Sequence, residues 1–407
     1  MKINKKILFI GGGVETLPGI NIARNMGLKV VVSDINPEAP GLLAADYGIL
    51  ASTYDIEETI KRVKEHILSF SPIDGVICLG VDVPRTVAAI AKLIGSNGIS
   101  EKAAFLASEK YEMKECFSKY SLNVPWYSKI TNIRDLKSIL NINKGSFVIK
   151  PVDSRGARGV LKIDSNSDID WAYRYSMSYS PSKVLILEKY LDGPQFSTES
   201  IIIDGKCYTP GFSDRNYEYL DKYAPNIIEN GGDLPSKLPK KNQLQIMDLV
   251  SAAASALGIK NGVVKGDMVF HNGEPYIIEL AARLSGGLFC THEIPLNTGI
   301  EFVKIAILQA LGEKIDLKML KPKFNKGVAQ RYFFPQPGKV ESIFIPEWIN
   351  ESMNVKHLDI RVKVGDYIGN IDNHPSRAGM VITQSNKRDE AITIAELVVK
   401  SVKIVTV

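Results

Sequence analysis

The sequence has few cysteines, and they are not spaced like metal ligands. Four occur in 407 residues: Cys78, Cys116, Cys207 and Cys290. They are far apart and none belongs to a CxxC pair, so neither a zinc site nor a disulfide framework is predicted. This distribution is typical of reduced thiols in a cytoplasmic protein, which is the location we expect.

Long hydrophobic runs are also missing. The apolar segment 7–10 stops at Gly11, which is too short for the core of a signal peptide. No stretch approaches the ~18 consecutive apolar residues of a membrane span. We therefore expect neither a secretory leader nor a membrane segment.

The chain has little net charge. Its formal charge is +5 at pH 7, from 50 basic and 45 acidic residues. The two signs are interleaved, as in the run EETIKR at 57–62, which is typical of a solvated helix face. We therefore do not expect nucleic acid as a partner.

What the first hundred residues do contain is an alternation of strands and helices. Apolar runs at 6–10, 29–33 and 75–79 alternate with helical stretches at 17–26, 56–69 and 84–94. This alternation predicts an open parallel α/β sheet that binds ligands at the carboxyl ends of its strands. At roughly 100–200 residues per domain, the chain is long enough for two or three domains.

After Ala107 the pattern changes to a mixed α+β one. Strands are predicted at 146–150, 160–163, 184–188 and 196–203, and a β-hairpin at 262–280. From about residue 321 the segments are short and β-rich, with one late helix at 387–400. The predicted fold class is therefore α/β and α+β in three domains: 1–107, 108–320 with subdomains of about 108–187 and 188–320, and a small α+β domain at 321–407.

The first candidate site is a lysine followed by a glycine-containing loop. Lys150 ends the apolar strand 147–150, and Ser154, Gly156 and Gly159 follow in the next loop. Backbone amides beside glycines can approach a phosphate closely, and a lysine at a strand end can neutralise its charge. The segment suits a nucleotide phosphate clamp, although it is not a Walker A loop; a tight hairpin loop with solvated arginines is the alternative.

The second candidate is a pair of carboxylates in the apolar hairpin. Asp267 and Glu279 lie on neighbouring strands among Val, Phe, Ile and Leu residues. A buried carboxylate is costly unless it is paired or bound to a metal, so we predict a divalent cation, Mg²⁺ or Mn²⁺, between them. A surface hairpin with alternating exposed acids is the alternative.

The register of this hairpin decides whether both carboxylates reach one face. A strict two-residue turn at 272–273 pairs Asp267 with Ile278 and turns the next residue, Glu279, to the opposite face. A three-residue loop or a bulge places the two carboxylates across from each other instead. Because Pro275 cannot donate a ladder hydrogen bond, we expect an irregularity there and predict the offset register.

The order of these motifs resembles the ATP-grasp superfamily. The resemblance rests on SEK at 108–110, VIK at 148–150 with its glycine loop, LEKYL at 187–191, Asp267 and Glu279 twelve residues apart, and Arg283 four residues further on. The stretch ARLSGG at 282–287 and the C-terminal PGKV at 337–340 are similar to the L-amino-acid ligase branch. The resemblance implies a pre-ATP-grasp domain, an ATP-grasp domain and a small terminal domain in the three predicted parts.

The resemblance also implies a role for each motif residue. The residues expected to contact ATP are Lys110, Lys150, Ser154, Gly156, Gly159, Glu188, Lys189, Leu191 and Glu199. The loop from Gly156 to Gly159 would be a mobile lid, and Glu199 would lie at the ribose or one layer behind it. Asp267 and Glu279 are expected to hold magnesium. Arg283, together with Lys150, is expected to act on the acyl phosphate.

One position departs from the family pattern. Many members carry Asn two residues after the second metal carboxylate, and this chain has Ala281 there. Alanine cannot bind a metal, so a second ion would depend on Glu279 alone. Occupancy by one or by two metal ions is therefore left open.

The activity implied by the resemblance is ATP-dependent ligation of a carboxylate to an amine. The γ-phosphoryl group makes an acyl phosphate, an amine attacks it, and ADP and phosphate are the other products. The expected partners are ATP and two small molecules, and a homodimer is the commonest assembly. Candidate substrate contacts are Asp82, Arg85, Arg215 and His292, with a structural role for His292 as the alternative.

Other functions are possible on the same sequence. The run GGG at 11–13 followed by Asp34 is similar to the fingerprint of an NAD-dependent oxidoreductase, but Thr16 stands where the third glycine is required. Within the superfamily, a phosphoribosylglycinamide synthetase-like or bicarbonate-activating enzyme is the alternative, although the loop GVET at 13–16 lacks the GREHA-like run of that synthetase. A nucleotide-binding protein without catalysis is a further class, and the intact set of motif lysines and carboxylates argues against it.

Overall fold

The N-terminal part is a parallel sheet with helices on both faces. The computed structural model describes residues 5–407. In this part it has strands β1 (Lys6–Ile10), β2 (Lys29–Asp34), β3 (Tyr47–Leu50) and β4 (Gly75–Ile77), and helices α1 (Leu17–Asn25), α2 (Pro40–Ala44), α3 (Ile56–Ser69) and α4 (Pro84–Ile94). The strand order is β3-β2-β1-β4, all parallel. Ile7 and Phe9 pack into one core and Leu8 and Ile10 into another, so β1 is covered on both faces.

Two helices lead into a four-stranded antiparallel sheet, which we call the lid sheet. The elements are α5 (Glu101–Ser108), α6 (Lys110–Lys119), β5 (Tyr127–Ile130), α7 (Ile133–Ile142), β6 (Phe147–Pro151), β7 (Leu161–Ile163), α8 (Ile169–Ser178) and β8 (Leu185–Lys189). The strand order is β5-β8-β6-β7. Apolar residues of α7 and α8 pack against alternate residues of β6 and β8, such as Phe147 and Leu187.

The next elements build one side of a larger sheet. They are β9 (Gln195–Ile203), β10 (Lys206–Asn216), β11 (Gly231–Leu234), α9 (Lys240–Ala256), β12 (Gly262–His271), β13 (Glu274–Ala281), α10 (Ile294–Thr298) and α11 (Phe302–Ala310). Helix α9 packs on this sheet through Ile246, Val250 and Ala253. None of the helices within residues 5–407 is both long enough and apolar enough to cross a bilayer.

The C-terminal part continues this sheet. Its elements are β14 (Gly327–Tyr332), β15 (Gly338–Phe344), α12 (Glu347–Glu351), β16 (Val355–Ile360), β17 (Tyr367–Ile368), β18 (Gly379–Ser385), α13 (Arg388–Ser401) and β19 (Lys403–Thr406). The eight-stranded sheet has the order β13-β12-β9-β10-β11-β14-β18-β16, and β15, β17 and β19 form a small separate sheet. Because β11 pairs with β14, the ladder runs across residue 320. The C-terminal part is thus joined through main-chain hydrogen bonds to the sheet that carries the carboxylate hairpin.

Candidate active site

All parts of the chain meet around one cavity of about 590 Å³. Of the residues expected at the ATP and metal sites, those that line it are Lys110, Lys150, Ser154, Gly156, Glu188, Lys189, Leu191, Asp267, Glu279 and Arg283. Two others, Gly159 and Glu199, do not line it. The structure therefore brings together side chains that are separated by up to about 170 positions in the chain.

The turn of the β12–β13 hairpin is a strict two-residue turn. Asn272 and Gly273 have φ angles of 50° and 87°, which is the positive-φ pair of a type I′ turn. Phe270 pairs with Pro275 without any shift in the ladder. The irregularity expected at Pro275 is therefore not located there.

A bulge further along β13 nevertheless gives the predicted offset register. Asp267 pairs with Glu279 while Met268 pairs with Ile277, which leaves Ile278 as the additional residue. A bulge of this kind shifts the alternation of side chains by one position. Both carboxylates consequently lie on the cavity face of the hairpin, as predicted.

The outer edge of β13 is held at the bulge by distant residues. The backbone N–H of Ile277 donates to the carbonyl oxygen of Asn123 at 2.9 Å. Its own carbonyl oxygen accepts a hydrogen bond from Lys114 Nζ at 2.9 Å. These contacts satisfy the edge strand beside the bulge, where the ladder to β12 is interrupted.

Asp267 is the centre of a network of opposite charges. Arg215 donates from Nη1 to Asp267 Oδ1 at 2.7 Å and from Nη2 to Glu229 Oε2 at 2.6 Å. The ammonium group of Lys265 also contacts Asp267 Oδ1. Burial alone would raise the pKa of Asp267, but Arg215 and Lys265 outweigh it and hold that pKa well below its ordinary value.

Glu279 faces the lysine that begins α6. Lys110 Nζ lies 3.4 Å from Glu279 Oε1 and donates to the carbonyl oxygen of Ser154 at 2.8 Å. Burial would raise the pKa of Glu279, but Lys110 and Lys150 lower it below the ordinary value, so the carboxyl is ionised at neutral pH. Lys110 thereby connects the carboxylate pair with the loop after β6.

The donor set at the hairpin fits a hard divalent cation bound together with a nucleotide. Two ionised carboxylates converge there, and oxygen ligands are the ones that Mg²⁺ and Mn²⁺ prefer. Among residues 5–407 no cluster of three or more His, Cys, Asp or Glu side chains forms a complete protein cage. The remaining ligands would have to come from phosphate oxygens and water, which is usual for magnesium at nucleotide sites.

Glu188, at the end of β8, is buried between two lysines. Its carboxyl oxygens lie 2.9 Å from Lys150 Nζ and 3.5 Å from Lys114 Nζ. Burial lowers the pKa of Lys114 to about 8, although Glu188 opposes this shift. The three side chains together carry one excess positive charge when both lysines are protonated, on the wall next to the predicted adenine and phosphate positions.

The loop after β6 contacts both the N-terminal and the C-terminal parts of the structure. Gly156, whose φ is 65°, accepts a hydrogen bond at its carbonyl oxygen from the backbone N–H of His374 at 3.0 Å. On helix α8, which packs on the lid sheet, Tyr175 Oη donates to Asp372 Oδ2 at 3.0 Å. Arg155 lies 3.5 Å from Asp82 Oδ2 in the N-terminal part. The lid sheet is thus docked against the C-terminal segment 372–376 and against the β4–α4 loop.

Asp82 also contacts the predicted catalytic arginine. Arg283 Nε lies 3.5 Å from Asp82 Oδ1, and its Nη1 donates to the carbonyl oxygen of Leu284 at 3.2 Å. Asp82 therefore stands between Arg283 on one side and Arg155 of the lid loop on the other. Of the two N-terminal candidates for substrate contact, Asp82 lines the cavity and Arg85 does not.

Glu199 lies behind the cavity wall. Its side chain is 0% exposed, and its Oε1 accepts a hydrogen bond from the backbone N–H of Ser285 at 3.1 Å. Burial is the largest influence on this carboxyl and raises its pKa to about 7, against the smaller effect of Ser285. Glu199 fixes the start of the glycine run 285–287, which does line the cavity.

The sequence reasoning missed several cavity residues. They are Glu15, Lys265, Glu229, Glu293, Arg361 and Arg377. One signal was available for Lys265, because it lies two positions before Asp267 and a strand places such residues on the same face. His292, a candidate for substrate contact, lies outside the cavity lining with its ring 5.2 Å from that of His357.

Two family profiles match separate parts of the chain. The profile of the ATP-grasp domain matches residues 107–287. The profile described as L-amino acid ligase C-terminal domain 2 matches residues 331–407. The chain therefore carries an ATP-grasp domain followed by this C-terminal domain, which confirms the resemblance.

Solved structures share the whole fold at low sequence identity. An L-amino acid ligase from Bacillus licheniformis superposes with a TM-score of 0.84 at 22% identity, and the match covers 100% of both chains. A phosphoribosylglycinamide synthetase from Anaerococcus prevotii gives 0.77 at 21% identity, again over 100% of both chains. These likenesses confirm the predicted fold class.

Similar sequences include much longer proteins. The carbamoyl phosphate synthase large chain of Thermoanaerobacter sp. (strain X514) is 19% identical over 317 residues, which is 75% of this chain. The matched region is 28% of that protein. The chain thus spans little more than a quarter of the length of the curated relatives that it matches first.

Proposed function

We propose that this chain, a protein with an ATP-grasp domain, is an ATP-dependent carboxylate–amine ligase. ATP would activate a carboxylate as an acyl phosphate, and an amine would then displace phosphate to form an amide. The observation that carries the proposal is that Asp267 and Glu279 lie directly opposite each other on the cavity face of the hairpin. Three cations of the same cavity complete the arrangement: Lys110, Lys150 and Arg283.

In this proposal ATP lies between the lid sheet and the eight-stranded sheet. The adenine would border the end of β8 at Glu188, Lys189 and Leu191. The phosphates would extend towards Lys110, Lys150, Ser154 and Gly156. Gly159 would act through the shape of the loop, because a Cβ there would meet Tyr179 and Pro151 at 3.0 and 3.1 Å. Glu199 would support the glycine run from behind.

Asp267 and Glu279 would hold Mg²⁺ or Mn²⁺ together with phosphate oxygens. A bound ion would neutralise charge on the transferring phosphoryl group. Lys150 and Arg283 would add positive charge on opposite sides of this phosphoryl group, inside a cavity that the lid loop would shield from bulk water. Contacts of the lid loop with Asp82 and His374 would keep water away from the acyl phosphate.

The cavity walls also contain groups that suit the substrates. Arg215 is already committed to Asp267 and Glu229, so it is less suitable for a substrate carboxylate than its place in the sequence suggested. Arg377 lies 3.5 Å from the ring centroid of Tyr332, and Arg361 lies 3.6 Å from Glu15 Oε1. We place the substrate carboxylate near Arg283, with Arg361 and Arg377 further along the cavity wall. As the assembly we expect a homodimer.

The oxidoreductase alternative is disfavoured by a contact in the first loop. Asp34 Oδ2 accepts a hydrogen bond from the backbone N–H of Gly12 at 2.7 Å. In a dinucleotide fold, the corresponding acid must be free to bind a ribose hydroxyl. Here the carboxylate of Asp34 is instead hydrogen-bonded to the glycine loop.

The proposal is tested by ADP release from purified protein with MgATP over a matrix of carboxylates and amines. Hydroxylamine is included as a small nucleophile that traps acyl phosphates as hydroxamates. We expect turnover with at least one pair, and none in Asp267→Ala or Glu279→Ala. Glu274→Gln, an exposed position on the same hairpin, is the matched control and should keep wild-type activity. Absence of ADP and hydroxamate over the whole matrix would refute the ligase proposal.

A further inference from the structure

Beyond the metal carboxylates, the cavity reaches a buried acid that the proposed reaction has not used. Glu293 ends a short π-helical turn, Phe289–Glu293, directly before α10. It lines the cavity although its side chain belongs to a residue that is only 3% exposed. Its Oε2 lies 3.8 Å from the position that a Cβ on Gly232 would occupy, so it faces the strand β11 side of the cavity.

Glu293 lacks a counter-charge that its neighbours have. Three charged groups face it: Glu229, Asp233 and Arg331. Asp233 is paired with Arg331 at 2.7 Å and with Arg388 at 3.3 Å. Glu229 is paired with Arg215 at 2.6 Å. The arginines nearby are thus paired with Glu229 and Asp233, and Arg331 has only a weak influence on Glu293. A buried carboxylate without a close cationic partner is costly.

The electrostatics agree with this geometry. Burial is the largest cause that raises the pKa of Glu293, and Glu229 and Asp233 raise it further against the weaker effect of Arg331. These surroundings favour the protonated form of the carboxyl. A cation beside Glu293 would favour the ionised form.

We propose that Glu293 binds the amine co-substrate and accepts a proton from its nitrogen. The inference rests on the proposed ligase function. The position of Glu293 supports this role. The guanidinium of Arg215 bridges two carboxylates, Asp267 at the proposed metal site and Glu229, and Glu229 neighbours Glu293. An amine held by Glu293 therefore lies on the side of the cavity that adjoins the metal carboxylates.

The proton balance is simple. As an ammonium ion binds, the Glu293 carboxyl releases its proton to water; the carboxylate then accepts one proton from the nitrogen, which leaves a neutral amine. The nitrogen lone pair forms the new C–N bond at the acyl carbon, and the C–O bond to phosphate breaks. The nitrogen loses its second proton to the departing phosphate, which leaves as hydrogen phosphate. The raised pKa of Glu293 brings it nearer to that of an ammonium ion and so favours the first transfer.

The test uses the variant Glu293→Gln and measures amide formation separately from activation of the carboxylate. The twenty common L-amino acids are offered as carboxylates and amines, and hydroxylamine is offered as an alternative nucleophile. Hydroxylamine is largely unprotonated at neutral pH and needs no base before it attacks. We expect amide formation to fall by ~100-fold or more, while hydroxamate formation stays within about threefold of wild type.

Two further variants separate this role from a structural one. Glu293→Asp keeps a carboxyl group and should recover part of the amide formation. Glu301→Gln, an exposed glutamate before α11, is the matched control and should behave as wild type. In Glu293→Gln the residual amide formation should rise about tenfold per pH unit below the pKa of the amine, because only the free base reacts.

The outcomes are distinct. Hydroxamate formation by wild type with equal losses of both products in Glu293→Gln would overturn the role of Glu293 while leaving the ligase proposal intact. Wild-type rates of both amide and hydroxamate formation in Glu293→Gln would also overturn the role of Glu293. If wild type forms neither hydroxamate nor amide, the ligase proposal fails, and the inference fails with it.

Discussion

Asp267 and Glu279 lie opposite each other because Ile278 is an additional residue in β13. The turn of this hairpin is regular, so an unbroken ladder would pair Asp267 with Ile278 and direct Glu279 to the other face. The bulge corrects the register between the turn and the carboxylates. The metal site proposed here thus depends on one residue whose own side chain is not a ligand.

The first prediction concerns this carboxylate pair. Glu279→Gln keeps the shape of the side chain but removes a charge that faces the metal and Lys110. We expect ADP formation to fall by ~100-fold or more and half-saturation by free Mg²⁺ to need a higher concentration. The measurement is a magnesium titration at fixed ATP, with Glu274→Gln as control. An unchanged magnesium dependence would exclude Glu279 as a ligand.

The sequence predicted the carboxylate pair but not the place of the bulge, and the reason is physical. Turn chemistry is local, and the positive-φ turn follows directly from Asn272 and Gly273. The bulge lies where Asn123 and Lys114 hold Ile277 from the outside of the sheet. Those contacts join residues more than 150 positions apart, and a local pattern contains no information about them.

The same distinction applies to the rest of the fold and site. Alternating strands and helices predicted the parallel N-terminal sheet, and ordered motifs predicted the ATP-grasp domain, because both are local or family-wide patterns. Glu229, Glu293 and Arg377 belong to no motif and reach the cavity only through the path of the chain. The pairing of β11 with β14 was also beyond local reasoning, since it joins two predicted domains.

The second prediction concerns the buried acid Glu199. Its pKa is about 7 in the folded protein against an ordinary value of 4.5, so the folded state binds more protons than the unfolded state between these values. The free energy of unfolding of the wild type therefore falls, through this one group, as the pH rises from 4.5 to 7. Glu199→Gln imitates the neutral acid. It should be more stable than wild type at pH 8, by on the order of 3 kcal/mol, and nearly equal to it at pH 4.5.

This difference is measured by denaturant unfolding of both proteins at several pH values. Comparing them at each pH cancels the contributions of all other titrating groups. A stability difference that does not change between pH 5 and pH 8 would show that Glu199 is not a buried neutral acid.

The third prediction concerns the docking of the lid sheet. Tyr175→Phe removes the hydrogen bond to Asp372, which joins α8 to the C-terminal segment. One hydrogen bond contributes about 1 kcal/mol, so we expect the KM for MgATP to rise about fivefold and uncoupled ATP hydrolysis to increase. Steady-state kinetics give both values. Tyr173→Phe removes a hydroxyl that donates to the carbonyl oxygen of Thr131, directly after β5, and should leave both values unchanged.

The last prediction concerns Ala281, where the sequence departs from the pattern that it resembles. Ala281 lines the cavity and pairs with Lys265, whose ammonium group contacts Asp267. Because residues 279 and 281 share a face of β13, an asparagine at 281 would place an oxygen ligand beside Glu279. We expect Ala281→Asn to lower the free Mg²⁺ concentration needed for half-maximal ADP formation several-fold. Ala281→Leu adds similar volume without an oxygen and is the matched control. If both variants change the magnesium dependence equally, the effect is steric and residue 281 does not supply a metal ligand.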